Sequence, residues 1–304
     1  MLGFFYPAPP SIVVASKPLA DFLGLQTLPY HIHEVITAFV VYQLIFSVIS
    51  PLASSWIVPK VYHGLPARSR IRWNVRVTSM VQSTFITAMA LCVIWTDEER
   101  KRMDWIGRIW GHTDAMGMVQ GLAAGYFLWD LVVSVIHYDV LGPVSLALAV
   151  SALLVTSMSF RPFANYYCMN FILYEISTPF LNIHWFLHKL NMTRSRIQLY
   201  NGIALMMTFF GSRIYVGNYQ SLFIYADIWT AVNTPTIDMK YTDDASIFAY
   251  RNPTGLDGVG NLHDMKLPPW LAFAYLGSHG SWIFLNLYWL IKVVWAMYEQ
   301  AFLT

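Results

Sequence analysis

The sequence predicts an all-α polytopic membrane protein with about seven transmembrane helices. Three observations carry that reading. Hydrophobic residues make up 56% of the 304 positions and charged residues 12%, with a mean hydropathy of +0.46. A soluble domain carries about 25% charged residues, so this chain has too few to coat a water-facing surface. Apolar runs of about 20 residues, the length a bilayer requires, recur along the chain between polar or basic stretches. Aromatic residues crowd the ends of those runs, where an interfacial belt places them.

The same numbers exclude other classes. A formal net charge of +2 gives no electrostatic footprint for nucleic acid. Cys92 and Cys168 both lie in apolar runs, so no disulfide framework and no cysteine metal cluster is expected. The first 30 residues lack an early basic region, and Pro7, Pro9 and Pro10 break the apolar run. They do not read as a signal peptide, and the first span is expected to act as the insertion signal.

Taken in order, residues 1–33 read as an N-terminal arm, interrupted by proline and near the membrane interface. The first span is 34–57, with a kink expected at Pro51; with the basic loop after it, this segment runs to 69. The loop 58–72 holds Lys60, Arg68, Arg70 and Arg72 and no acid. The second span is 74–95. The loop 96–114 is dense in both signs, from Asp97 to Arg102 and at Arg108, and is expected to be wet. The third and fourth spans, 115–137 and 142–159, are joined by a tight turn at His137–Gly142. A fifth span runs over 163–187, and a basic loop with Lys189, Arg194 and Arg196 follows. The sixth covers 199–222 and extends toward Trp229. Residues 232–268, with five aspartates, read as a long polar insertion, a loop or lid. The seventh span is 269–291, and 296–304 form a tail.

The two acid-free basic loops fall on the C-terminal side of an odd number of spans. The positive-inside rule then expects a cytosolic C-terminus and a luminal N-terminus. The pattern Asn191-Met192-Thr193, a glycosylation sequon, faces the cytosol in that topology and stays bare.

The fifth span is the most informative. It is apolar enough to cross a membrane, yet carries Glu175, Ser177, Thr178, Pro179, Asn182 and His184 within ten positions. At helical spacing Glu175, Thr178 and Asn182 form one polar stripe. Pro179 has no N–H, and the carbonyl it leaves unpaired is that of Glu175. An ionisable side chain and a freed carbonyl at one depth belong against other helices or a cavity, not lipid.

Other features follow the same logic. Gly117, Gly121 and Gly125 repeat every four residues, a spacing that admits a second backbone at close range. Asp130 follows five residues on, and Arg213 lies within the sixth span. A pair between Arg213 and Asp130 or Glu175 would reduce the cost of burying both charges. It would serve equally as a packing device or as part of a lipid head-group site. His279 sits among small residues in the last span, either as a general base or as a hydrogen-bonded packing histidine. His184 and His188 share a helical face without a third ligand at helical spacing, so no metal is expected, and no cofactor motif is present.

Four stretches resemble a known family. Tyr174-Glu175-Ile176-Ser177-Thr178-Pro179-Phe180-Leu181-Asn182 with Trp185-Phe186 is similar to the signature of TLC-domain proteins. That membrane domain is shared by translocation-associated membrane proteins, ceramide synthases and the neuronal-ceroid-lipofuscinosis membrane protein. Trp73-Asn74 with Ser79 resembles its opening span, Gly125-Tyr126 with Asp130 a second, and Asn201-Gly202 with Phe209, Phe210 and Arg213 a third. The resemblance covers about 70–295, in the order and spacing of the domain, and is closest to the small, fungal-like TLC-domain proteins. It implies a six-helix ring around a lipid-facing cavity, plus one N-terminal helix, in the endoplasmic reticulum.

The departures bear on mechanism. Ceramide synthases carry a double histidine before the signature, where this chain reads Ser145-Leu146-Ala147-Leu148-Ala149-Val150. Of their acidic run after it only Glu175 survives in kind. No leucine, tyrosine or threonine replaces an imidazole as base at neutral pH, so the resemblance does not carry that mechanism over. Three functions stay open on sequence. The first is a protein that binds or sets sphingolipid or phospholipid composition, with Asp130, Glu175, Thr178, Asn182 and Arg213 shaping a head-group site. The second is an acyl-CoA-dependent lipid acyltransferase with His279 as base and Glu175 orienting it. The third is a cargo or translocation partner, binding a membrane protein or a second copy of itself.

Overall fold

A computed structural model describes residues 8–161, 163–193, 195–234 and 269–298. Among the described residues the chain is all-helical, without strands. Among the described residues four helices are long and apolar enough to cross a membrane: Leu28–Ile57, Ala67–Thr96, Trp105–Ile136 and Tyr138–Met158.

The N-terminal arm holds more order than its prolines promise. Helix α1, Pro10–Leu23, starts on Pro10, whose missing N–H costs nothing in the first turn. It ends at Gly24, which takes the left-handed conformation at φ 67° and lets the Leu25 N–H reach the Ala20 carbonyl at 2.8 Å. Helix α2, Leu28–Leu44, begins six residues before the expected edge and continues through a π turn, Ile45–Ile49, into α3, Ser50–Ile57. The wider π turn accommodates Pro51, whose ring cannot fit a regular α interior. After the short α4, Pro59–Gly64, helix α5 runs Ala67–Thr96.

The stretch after α5, expected to be a wet loop, is wet only in part. It folds into α6, Glu98–Lys101, and α7, Trp105–Trp110, and buries Arg100, Met103, Ile109 and Trp110. Arg100 is spent inside the protein, while Glu98, Glu99, Lys101, Arg102 and Asp104 are exposed. The Arg100 guanidinium donates to the Tyr166 carbonyl at 3.2 Å and to Asn170 Oδ1 at 3.3 Å, and lies 4.1 Å from the Tyr166 ring. Burial pushes the Arg100 pKa down, while Tyr166 and Asp97 hold it up; an arginine so placed stays charged.

Helix α8, Asp114–Ile136, and α9, Tyr138–Met158, are joined almost directly. The turn expected at His137–Gly142 is a kink within α9, where Gly142 takes φ 82° ahead of Pro143. The signature segment is a bent rod: α10, Asn165–Ile172, a 3-10 turn over Leu173–Ser177, and α11, Thr178–Lys189. The tighter turn falls where Pro179 withdraws its donor. The next rod is α12, Arg196–Phe209, a π segment over Phe210–Val216, and α13, Gly217–Asn233. It runs past both Ile224 and Trp229, so the sixth element is longer than expected. Most of the polar insertion, 235–268, lies outside the described residues. The last helix, α14, spans Pro269–Tyr298.

Helix α2 lies along α8, which also packs on α5 and α9; α5 lies against α10–α11, these against α12, and α14 against α12–α13. Hydrogen bonds tie the helix ends into two sets. At one end Thr27 donates from its backbone and its Oγ1 to the Phe160 carbonyl, both at 3.0 Å, and Ala164 N–H reaches the Ile109 carbonyl at 2.6 Å. At the other, Arg72 donates twice to the Val140 carbonyl, at 2.7 and 3.1 Å. There too the Trp73-Asn74 pair works as a clamp. Trp73 Nε1 donates to Ser54 at 2.8 Å, and Asn74 Oδ1 accepts from Ser50 at 2.9 Å and Tyr62 at 3.1 Å.

Candidate functional site

The three charges expected within the membrane lie on three different elements. Asp130 comes from α8, Glu175 from the 3-10 turn, and Arg213 from the π segment. All three are half-buried. Glu175 interacts electrostatically with both Asp130 and Arg213. Yet Arg213 lies within ion-pair distance of neither acid, a contact the sequence left open. Its Nε donates to Ser177 Oγ at 3.2 Å and a terminal nitrogen donates to Asn286 Oδ1 at 3.4 Å. The guanidinium also stands 5.1 Å from the Phe209 ring and 5.8 Å from that of Tyr174. Tyr126, which shares α8 with Asp130, bonds to Ser79 and feels both carboxylates.

The departures from regular α geometry position this set. The 3-10 turn carries Glu175 and Ser177, and the π segment carries Arg213, so two distorted turns from neighbouring rods meet at the Arg213–Ser177 bond. Such turns recur at functional positions because they redirect side chains a regular helix would aim elsewhere. Close approach of the rods is fixed nearby by Gly217, where any Cβ would collide with the Tyr174 hydroxyl.

Asn182 is buried, accepting from Arg76 at 3.0 Å and donating to Ser79 Oγ at 3.2 Å, the same hydroxyl that Tyr126 bonds. Thr178 is half-buried and opens α11. Gly117, Gly121 and Gly125 face α2. A Cβ at Gly117 would run into His31, one at Gly121 would lie 3.0 Å from Glu34 Cβ, and one at Gly125 would meet the Val35 carbonyl and lie 2.6 Å from Ala38 Cβ. His279 lies on α14, but its side chain is outside the described residues. Among the described residues no group of three or more His, Cys, Asp or Glu is placed to hold a metal ion.

Two clusters escaped sequence reasoning. Arg108 makes a two-point bond to the buried Asp227, at 2.6 and 2.8 Å, and the Tyr167 hydroxyl donates to the same carboxylate. An acid late in a long apolar rod was the available signal for Asp227. The second cluster gathers at the start of α2. His31 Nε2 faces His112 Nε2 at 3.1 Å, and Glu34 stands 3.3 Å from the Nδ1 atoms of both His31 and His33. Its i, i+3 spacing at His31 and Glu34 was visible, but His112 lies 81 positions away.

The TLC domain model matches residues 72–294. The chain belongs to the TLC domain family. An uncharacterized TLC domain-containing protein of Schizosaccharomyces pombe is 30% identical over 286 residues, 94% of this chain and 85% of that protein. Topoisomerase I damage affected protein 4 of Saccharomyces cerevisiae is 33% identical over 206 residues, 66% of this chain and 71% of its own length. Human TLC domain-containing protein 4 is 27% identical over 180 residues, 58% of this chain and 66% of its own. Asp130, Glu175 and Arg213 all lie inside the TLC domain, whereas α1 and α2 precede it. The glycine face of α8 is therefore a seam between the TLC domain and its N-terminal helix.

Proposed function

We propose that this TLC-domain protein binds a membrane lipid by its head group at Asp130, Glu175 and Arg213, and in doing so senses or sets membrane lipid composition. One observation supports the reading above the others. Two acids and an arginine sit half-buried in apolar rods, close enough to interact, and neither acid neutralises the arginine directly. Charges that serve packing alone are paired, because an unpaired one costs several kcal/mol (roughly 3–5 when a buried partner is removed). Charges held apart keep capacity for a further polar group, and an intramembrane ionisable residue is a functional candidate for that reason. A zwitterionic or hydroxylated head group supplies what both signs lack.

The topology that goes with this reading has seven spans, the bent α10–α11 rod, the α12–α13 rod and α14 joining the four clear ones. Its N-terminus is luminal and its C-terminus cytosolic in the endoplasmic reticulum, and the TLC helices surround the site as a ring. The loops 58–72 and 189–196 carry the basic residues that favour the cytosolic side. The test is a lipid profile of cells whose only copy is wild type, Glu175→Gln or Arg213→Leu. The reading expects both variants to reach the membrane at normal levels and to shift the same lipid class. Unchanged profiles with both variants well folded would count against it.

A further inference from the structure

The end of the molecule that carries Arg72 and Lys189 is strongly basic. Residues 58–76 hold Lys60, Arg68, Arg70, Arg72 and Arg76 without an acid, and Lys189 and Arg196 add to them. Asp139 is the neighbouring carboxylate, and it is taken up by exposed Arg68 at 3.6 Å. Charge alone makes a diffuse patch; here part of it converges. Helices α5 and α11 pack together through Trp73, whose ring meets Phe186 at 4.7 Å and Trp185 at 6.0 Å. On the Trp185 indole sit two cations, Arg76 at 5.0 Å and Lys189 Nζ at 5.5 Å. Arg76 gives one hydrogen bond to Asn182 and is half-buried. Among the described residues neither cation is within ion-pair distance of a carboxylate.

The ring offsets only about 0.5–1 kcal/mol apiece at an accessible site, and among the described residues neither cation has a carboxylate to complete it. An anion that reaches both would do so. Tryptophan at the end of a span lies at head-group depth, and a basic pocket between helix ends at that depth recognises phosphate-bearing lipid heads. We propose that Arg76, Lys189 and Trp185 form a site for the phosphate of an anionic phospholipid. The site is separate from the Asp130–Glu175–Arg213 set and needs none of those residues, so either assignment can fail without the other.

The experiment titrates the purified full-length chain in detergent with short-chain phosphatidate, short-chain phosphatidylcholine and inorganic phosphate, reading affinity from the shift in unfolding midpoint. Phosphatidate is expected to bind in preference to phosphatidylcholine. Lys189→Gln is expected to weaken it about fivefold, the weight of one basic residue at an anionic surface, and Arg76→Gln at least as much. Lys60→Gln, which removes an exposed charge from the same end, is expected to leave the affinity unchanged. Arg76→Gln also loses the bond to Asn182, so Lys189→Gln decides the matter if that variant folds poorly. Equal binding of phosphatidylcholine, wild-type affinity in Lys189→Gln, or an equal loss in Lys60→Gln would overturn the site. Inorganic phosphate binding as tightly as phosphatidate would overturn the lipid as its source.

Discussion

Gly125 of α8 lies against Val35 of α2 so closely that a side chain of even one carbon would strike the Val35 carbonyl. Backbone cannot step aside as a flexible side chain can. In a bilayer, where lipid tails compete with apolar side chains on equal terms, such close packing is what holds helices together. Gly125→Ala is therefore expected to push α2 from α8 and to destabilise the fold by about 1–3 kcal/mol, the usual cost of overpacking. Gly211, where a Cβ meets nothing within 4 Å, is the control. Gly211→Ala should change stability by less than about 1 kcal/mol. Unfolding of both variants in one detergent series checks this.

Gly117 offers a sharper version. The obstacle there is the His31 ring, with His112 just behind it. Gly117→Ala should be destabilising, and removing the obstacle with His31→Ala should restore part of the loss. The double-mutant cycle is expected to show a coupling of about 0.5–3 kcal/mol in the rescuing direction. Strictly additive effects would mean that the two residues do not meet.

Asp227 anchors α13 to α7 through Arg108 and to α10 through Tyr167. Its side chain is 7% exposed and that of Arg108 is 27% exposed, so solvent screens part of the pair. Asp227→Asn is expected to cost toward the low end of the roughly 3–5 kcal/mol seen when a buried partner is removed. Tyr167→Phe, which takes away one hydroxyl, should cost about 1 kcal/mol. Thermal melts of the two variants rank them, and an equal loss in both would contradict the assignment of Asp227 as the anchor.

These cases mark what was legible in the sequence. Hydropathy and the scarcity of charge gave the helical membrane class, and the four-residue spacing of Gly117, Gly121 and Gly125 announced a packed face without naming α2 as its partner. The segment 96–114 is wet only in part: Glu98, Glu99, Lys101, Arg102 and Asp104 are exposed, as its charges imply. Arg100 and Arg108 turn inward to Tyr166, Asn170 and Asp227, and Asp227 lies 119 positions from Arg108. Local pattern cannot see partners so distant. The same limit applied to Arg213. Its sequence neighbours put it in an apolar run, but its bonding to Ser177 and Asn286, rather than to an acid, depends on how three rods pack.

The central claim is that Asp130, Glu175 and Arg213 hold a lipid head group. It is tested most directly by native mass spectrometry of the full-length chain released from its own membrane in mild detergent. Wild type is expected to retain one lipid class that Glu175→Gln and Arg213→Leu both lose, while Gly211→Ala keeps it. Retention of the same lipids by wild type and both charge variants would contradict the claim.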